Sequence, residues 1–341
     1  FEDLPDMQED SVYLACMHGD LQTLKEVLES KDPIVDVNFQ HNGKHGLLCA
    51  CDRHDVEIVK LLLQQSDLDV KTSPWGFPDY FVLIACIHAA IKNTEIAKAL
   101  FNYSLPFQPM MEQFQDEIFE AAFDSANQEI MDLALQWPPL DTRPFGNEHK
   151  LHEAVLKNNI SEIRDLLSDA SAQPKSLDEF RRGPLDYALR LGNVEAVRLL
   201  LSVPEVIAGV RETEDMTLHD ALQAGHLGVV ELLLSDPNLN FDLDCTCISE
   251  GFSVIQSACF SGSASLVSKV LSWPENVLSY CKTNEAFHMA IKQRSADIVR
   301  IMLKDDRFDP NETDKTDKTP LQLAAHNGMT EILQILLGND K

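Results

Sequence analysis

Three local patterns in the chain have residue types and spacings that could do chemistry. His152-Glu153 could open a helical zinc site in which a second histidine, one turn on, completes the ligand pair. That place is held by Leu156, and zinc needs several convergent ligands. The run from Asp236 to Asp244 puts Asp or Asn at every second place, as a calcium loop does. The glycine and glutamate that such a loop needs at its sixth and twelfth positions are Phe241 and Cys247, so a solvated extended loop is expected instead. Cys49 and Cys51 form a close pair, as do Cys245 and Cys247, but metal knuckles use a two-residue gap and no matching second pair follows. No Gly-rich phosphate loop, nucleophile elbow or kinase-like set occurs. These patterns predict no catalytic residue, no metal and no cofactor: the chain reads as something other than an enzyme.

The elements that must position any functional side chain recur along the whole sequence. A turn residue, several polar or variable ones and a Leu-rich apolar run return ten times, anchored at Gly19, His54, Lys92, Ala126, Asn158, Gly192, Gly225, Gly262, Arg294 and Gly328. The steps between anchors are 35, 38, 34, 32, 34, 33, 37, 32 and 34 residues. Four residues before each anchor stands alanine, with His88 the one exception among Ala15, Ala50, Ala122, Ala154, Ala188, Ala221, Ala258, Ala290 and Ala324. Three residues earlier again the position is apolar in every copy, from Val12 and Leu47 to Phe287 and Leu321. An apolar residue and an alanine at i and i+3 share one face of a short helix, and the alanine is small because a neighbouring helix passes close. Cys16, Cys51 and Cys259 follow the alanine and read as buried, inert thiols. A second helix follows each anchor, with apolar residues such as Val194, Val197, Leu200 and Leu201 at helical spacing. Pro138, Pro204, Pro237 and Pro274, twelve residues past their anchors, stop it, and Asp, Asn, Pro and Gly make the returning loops.

Lys318-Thr319-Pro320-Leu321-Gln322-Leu323-Ala324-Ala325-His326-Asn327-Gly328 closely resembles the ankyrin-repeat signature, with weaker matches at Met216–His226 and Gly183–Ala188. Asp36 to Asn38 and Asp309 to Asn311 resemble that family's inter-repeat loop. The resemblance implies an all-α fold, an ankyrin-like α-solenoid of about ten helix–turn–helix repeats in one array from residue 1 to 341. The copies anchored at Lys92 and Ala126 depart most from the pattern. It also places His152, His219 and His288 where the family's histidine braces the loop by hydrogen bonds.

The resemblance further implies a binding face made of loop tips and first helices on the concave side of the stack. The tip positions hold Tyr80, Phe114, Phe145, Phe180 and Phe252; the helix positions before the anchor add Ile91, Leu156, Leu191 and Phe260, beside Lys157, Arg182 and Arg190. Exposed aromatics in neighbouring repeats would make an apolar strip fit to hold a peptide, with Arg182 and Arg190 pairing its acidic residues. Packing of these rings between neighbouring loops is the alternative.

With 28 Lys and Arg against 55 Asp and Glu, the net charge of −27 disfavours nucleic acid and anionic lipid and favours a partner of basic or mixed charge. No Lys or Arg stands between Lys98 and Arg143, so a basic segment could lie near Glu112 to Asp132. No apolar run is long enough for a membrane span. Eight cysteines without scaffold-like spacing point to a reducing, cytoplasmic setting. The expected role is a protein-binding scaffold or adaptor, with the regulatory arm of a larger enzyme, ligase complex or channel as the other reading. The start at Phe1 and the uncovered apolar end at Ile332–Leu337 suggest a fragment of a longer chain.

Overall fold

In the computed structural model the described residues are 11–30, 35–41, 43–70, 86–87, 93–104, 115–136, 149–169, 173–178, 180–212, 214–239, 241, 253–273 and 283–339. The chain divides into two compact units, Phe1–Pro144 and Phe145–Lys341. The first holds α1 (Ser11–His18), α2 (Leu21–Glu29), the strands β1 (Gln40–His41) and β2 (Lys44–His45), α3 (Gly46–Asp52), α4 (Val56–Leu63), α5 (Thr94–Ser104), α6 (Gln115–Asp124) and α7 (Gln128–Leu135). The second runs from α8 (Lys150–Leu156) and α9 (Ile160–Ser168) through α10 (Pro184–Leu191), α11 (Val194–Leu201), α12 (Pro204–Glu212), α13 (Glu214–Ala224) and α14 (Leu227–Ser235). It closes with α15 (Val254–Phe260), α16 (Ala264–Leu271), α17 (Thr283–Lys292), α18 (Ala296–Leu303), α19 (Pro320–His326) and α20 (Thr330–Leu337).

The helices form two layers in each unit. First helices pack on first helices, as α8 on α10, α10 on α13, α13 on α15, α15 on α17 and α17 on α19. Second helices do the same, as α4 on α5, α5 on α7, α11 on α14 and α18 on α20. The small-residue column explains the close approach: the nine alanines are at most 4% exposed, and Cys16, Cys51 and Cys259 beside them are fully buried. The apolar position three residues earlier is buried at its other described copies, from Val12 to Phe287, and opens at Leu321, which is 37% exposed. Leu337 is 70% exposed where its counterpart Leu303 is buried, so the last helix pair keeps an apolar face uncovered.

The anchors have a physical identity. Nine of the ten are described, and every one has positive φ, from 49° at Asn158 to 83° at Gly225. This left-handed residue ends the first helix and turns the next amide back onto the conserved alanine's carbonyl, as in Asp20 N to Ala15 O (2.9 Å), Asn193 N to Ala188 O (3.0 Å) and Met329 N to Ala324 O (3.0 Å). In some repeats the side chain of the residue after the anchor also caps the second helix: Asp20 accepts from Thr23 N, Asn127 from Glu129 N and Asn159 from Glu162 N.

One inter-repeat stretch departs from the expected loop. Pro204 does stop α11, but it also opens α12, with proline at a helix's first turn, Glu205 beside it and Val206 and Val210 buried one turn apart. A single residue separates α12 from the lengthened α13, so no loop tip forms before that first helix.

Candidate functional site

Among the described residues, three loops entering first helices form fingers. Two of them, leading into α10 and α19, share the same hydrogen bonds at their described residues. Asp178 N bonds Arg182 O and Asp314 N bonds Lys318 O, both at 3.0 Å. The aspartate carboxylate fills the loop: Asp178 Oδ1 accepts from Phe180 N and Arg182 N at 2.9 Å, and Asp314 Oδ1 accepts from Thr316 N at 2.8 Å and Lys318 N at 3.2 Å. Hydrogen bonds from Thr316 and from the loop amides push the Asp314 carboxyl down to about 2. Arg181 and Asp317 take matching left-handed conformations, φ 60° and 58°. The β1–β2 finger is tighter, pairing His41 with Lys44, yet has Gly43 left-handed (φ 75°) just before its Lys44.

A histidine of the preceding repeat secures each of the two alike fingers. His152 Nε2 donates to Arg182 O at 3.1 Å and His288 Nε2 to Lys318 O at 3.0 Å. Burial holds His152 below its ordinary pKa, which keeps the ring neutral. His219 stands at the same register, fully buried. His152 and His288 therefore do the bracing the sequence suggests; no group of His, Cys, Asp or Glu among the described residues could hold a metal ion. The sequence reading missed Asp178 and Asp314. Their signal is legible in retrospect: Asp five residues ahead of the cap in Asp178-…-Arg181-Arg182-Gly183-Pro184-Leu185 and Asp314-…-Asp317-Lys318-Thr319-Pro320-Leu321.

Of the residues expected on the binding face, Tyr80, Ile91, Phe114, Phe145 and Phe252 lie outside the described residues. Phe180 is half-buried at its tip, with the Arg182 guanidinium 5.5 Å from its ring centroid. Phe260 is also half-buried, and Arg190 half-buried at the end of α10. Lys157 is exposed and paired with Glu153 at 2.7 Å. Leu156 and Leu191 are corrected: at 1% and 3% exposure they are core. A first helix is sandwiched between its neighbours, so only about one residue per turn stays outside, here Glu153 and Lys157, or Asp186 and Arg190.

The outer face looks different. Second helices are joined across repeats by exposed ion pairs: Lys98 bridges Glu95 and Glu129, Glu195 faces Arg164 and Arg198, and Arg300 takes Asp297 and Glu331. Burial pushes the Cys16 thiol up to about 12 and raises Cys86 and Cys259, which disfavours their reactive thiolate forms.

Stacked helix pairs joined by short loops define a repeat-stack architecture. The family model for ankyrin repeats matches residues 151–247 and 254–341, more than half of the sequence, and the chain belongs to that family. Ankyrin repeats are in general protein–protein interaction modules. The chain is 23% identical to the human transient receptor potential cation channel subfamily A member 1 over 96% of its own length, and spans about a third of that relative (33%). Among solved structures it is similar to an ankyrin repeat domain from Acinetobacter baumannii AYE (25% identity, 56% of this chain and 97% of that one, TM-score 0.40). It is also similar to the ankyrin repeat domain of Bcl-3, a member of the IkappaB family (23% identity, 66% and 97%, TM-score 0.41). No helix among the described residues is long and apolar enough to cross a membrane.

Proposed function

We propose that the chain is a non-enzymatic scaffold or adaptor, one continuous array of about ten repeats, that recognises a partner protein or peptide through its fingers and the outward positions of its first helices. The observation that supports this is the contrast within a fixed frame. The 178–183 and 314–319 fingers repeat the same hydrogen bonds, yet their outward residues are Phe180-Arg181 in one and Thr316-Asp317 in the other. Structure alone needs only the aspartate latch and the histidine brace, which leaves the tips able to vary and to select. The outer helices instead spend their charges on one another. The acidic surface favours partners of basic or mixed charge over nucleic acid, and buried free thiols fit a reducing, cytoplasmic setting. The test is affinity capture from native cells with the whole chain, beside a variant carrying His41→Ser, Arg181→Ser and Thr316→Tyr, and another carrying Arg164→Ser and Lys269→Ser on the outer helices. A partner lost with the finger variant and kept with the outer one supports the reading; the opposite pattern sinks it.

A second reading, as the regulatory arm of a larger enzyme, ligase complex or channel, is favoured by the likeness to the human channel. Sequencing the full natural transcript decides it: a further catalytic or membrane segment in the same open reading frame is the outcome this reading expects.

A further inference from the structure

We infer that Leu177 and Met216, on neighbouring repeats, form a docking site for a partner's peptide segment that carries apolar side chains beside Lys or Arg. This rests on the protein-binding reading above and names the chemistry of one contact.

The fold does not ask for an exposed apolar side chain at either place. Met216 is 45% exposed and stands at the register of His45, Gly183, Ser253 and Thr319, each the N-cap of its own first helix. A cap is needed there because the leading amides of a helix have no partner within it. In this repeat α13 begins earlier, at Glu214, so residue 216 is relieved of capping and no finger stands ahead of it. Leu177, 53% exposed, has the exposed Thr313 as its counterpart before the finger leading into α19. That finger forms the same loop hydrogen bonds without an apolar residue at this place.

The two side chains share one end of their helix pair. Leu177 Cδ2 lies 3.7 Å from where a β-carbon on Gly183 would be, so it covers the start of α10. Met216 holds the Gly183 register on α13, and α10 packs on α13. The pair is therefore roughly one helix spacing apart, 8–10 Å, within reach of a single short segment. Charge decides what that segment carries. Residues 175–186, around Leu177, are balanced, with three Lys or Arg and three Asp or Glu. Residues 204–220, around Met216, hold one Arg against five Asp or Glu. An exposed Leu and Met in a sequence setting of net negative charge are complemented by apolar side chains with basic neighbours.

The test is selection of a random dodecapeptide display library on the immobilised 341-residue chain, with the enriched peptides measured against the wild type, Leu177→Thr, Met216→Ser and Leu337→Ser. The first two variants copy Thr313 and Ser253, found at the same places in other repeats, and unchanged melting temperatures check that the fold is kept. Leu337→Ser removes an exposed apolar side chain elsewhere. Peptides that combine apolar residues with net positive charge, lose about tenfold in affinity on each of the first two variants and nothing on the third, support the site. Acidic or uncharged peptides, or peptides that bind Leu177→Thr and Met216→Ser as well as wild type, overturn it while leaving the protein-binding reading in place. A wild-type chain with the solution mass of a dimer, falling to a monomer in Met216→Ser, puts a second copy on the pair and overturns the peptide site. Failure to enrich any peptide on the wild type overturns it too, and the capture experiment then judges the broader reading separately.

Discussion

At the residue scale the left-handed anchors carry the most direct physics. A β-carbon in this region costs about 1 kcal/mol, and the surroundings decide the rest. At Gly192 the added carbon would lie 2.5 Å from the His226 ring, whereas at Gly328 it would meet nothing within 4 Å. Gly192→Ala should therefore destabilise the chain by at least about 2 kcal/mol more than Gly328→Ala, read by urea unfolding; equal losses would refute the packing argument. His45 makes a second residue-scale case. Its Nδ1 caps α3 by accepting from Leu47 N at 3.0 Å, and burial pushes its pKa down to about 4 against the opposing pull of Asp36 and Asp69. The unfolded chain takes up that proton near pH 6.5, the folded one only near 4, so stability is full above 6.5 and falls as pH drops toward 4. The loss reaches about 3 kcal/mol. Thr319 does the same capping in its own repeat without titrating, so His45→Thr should flatten the stability profile between those values. An unchanged slope would show that His45 is not its source.

The finger is the element on which the proposed function turns, and Asp178 is the keystone of the 178–183 one. Tyr187→Phe removes one donor and should cost about 1 kcal/mol, while Asp178→Ala leaves two loop amides and the buried Tyr187 hydroxyl without their acceptor and should cost about 3 kcal/mol. Hydrogen exchange at the Phe180 and Arg182 amides should accelerate strongly in Asp178→Ala and mildly in Tyr187→Phe. Equal protection in all three proteins would mean that the carboxylate does not hold the loop. The sequence made much of this scale legible, because helix ends and small-residue columns are set by local geometry. It missed the aspartate latch, since an Asp in a polar loop carries no periodic signal until two fingers are superposed. It also placed Leu156 and Leu191 outside, because the last turn of a first helix is apolar for burial on both sides, a property no one-face pattern reveals. And Pro204 read as a stop only, although the same fixed φ that ends α11 starts α12.

For the whole molecule, charge and stacking set the terms. Exposed ion pairs such as Lys98–Glu129 and Arg300–Glu331 are each worth about 0–1 kcal/mol and are screened by salt. Self-repulsion at net charge −27 is screened too, and it acts over the entire surface. Added sodium chloride should therefore raise the melting temperature up to a few hundred millimolar; a steady fall would mean that the pairs outweigh the repulsion. The central claim is that fingers, not outer helices, meet the partner. It is tested most directly by placing a photo-crosslinking amino acid in the intact chain in cells, at Arg181 and Thr316 on two fingers and at Arg164 and Lys269 on the outer helices. Adducts to another protein from the finger positions, with none from the outer ones, are the expected result. Crosslinks confined to Arg164 and Lys269 would contradict it.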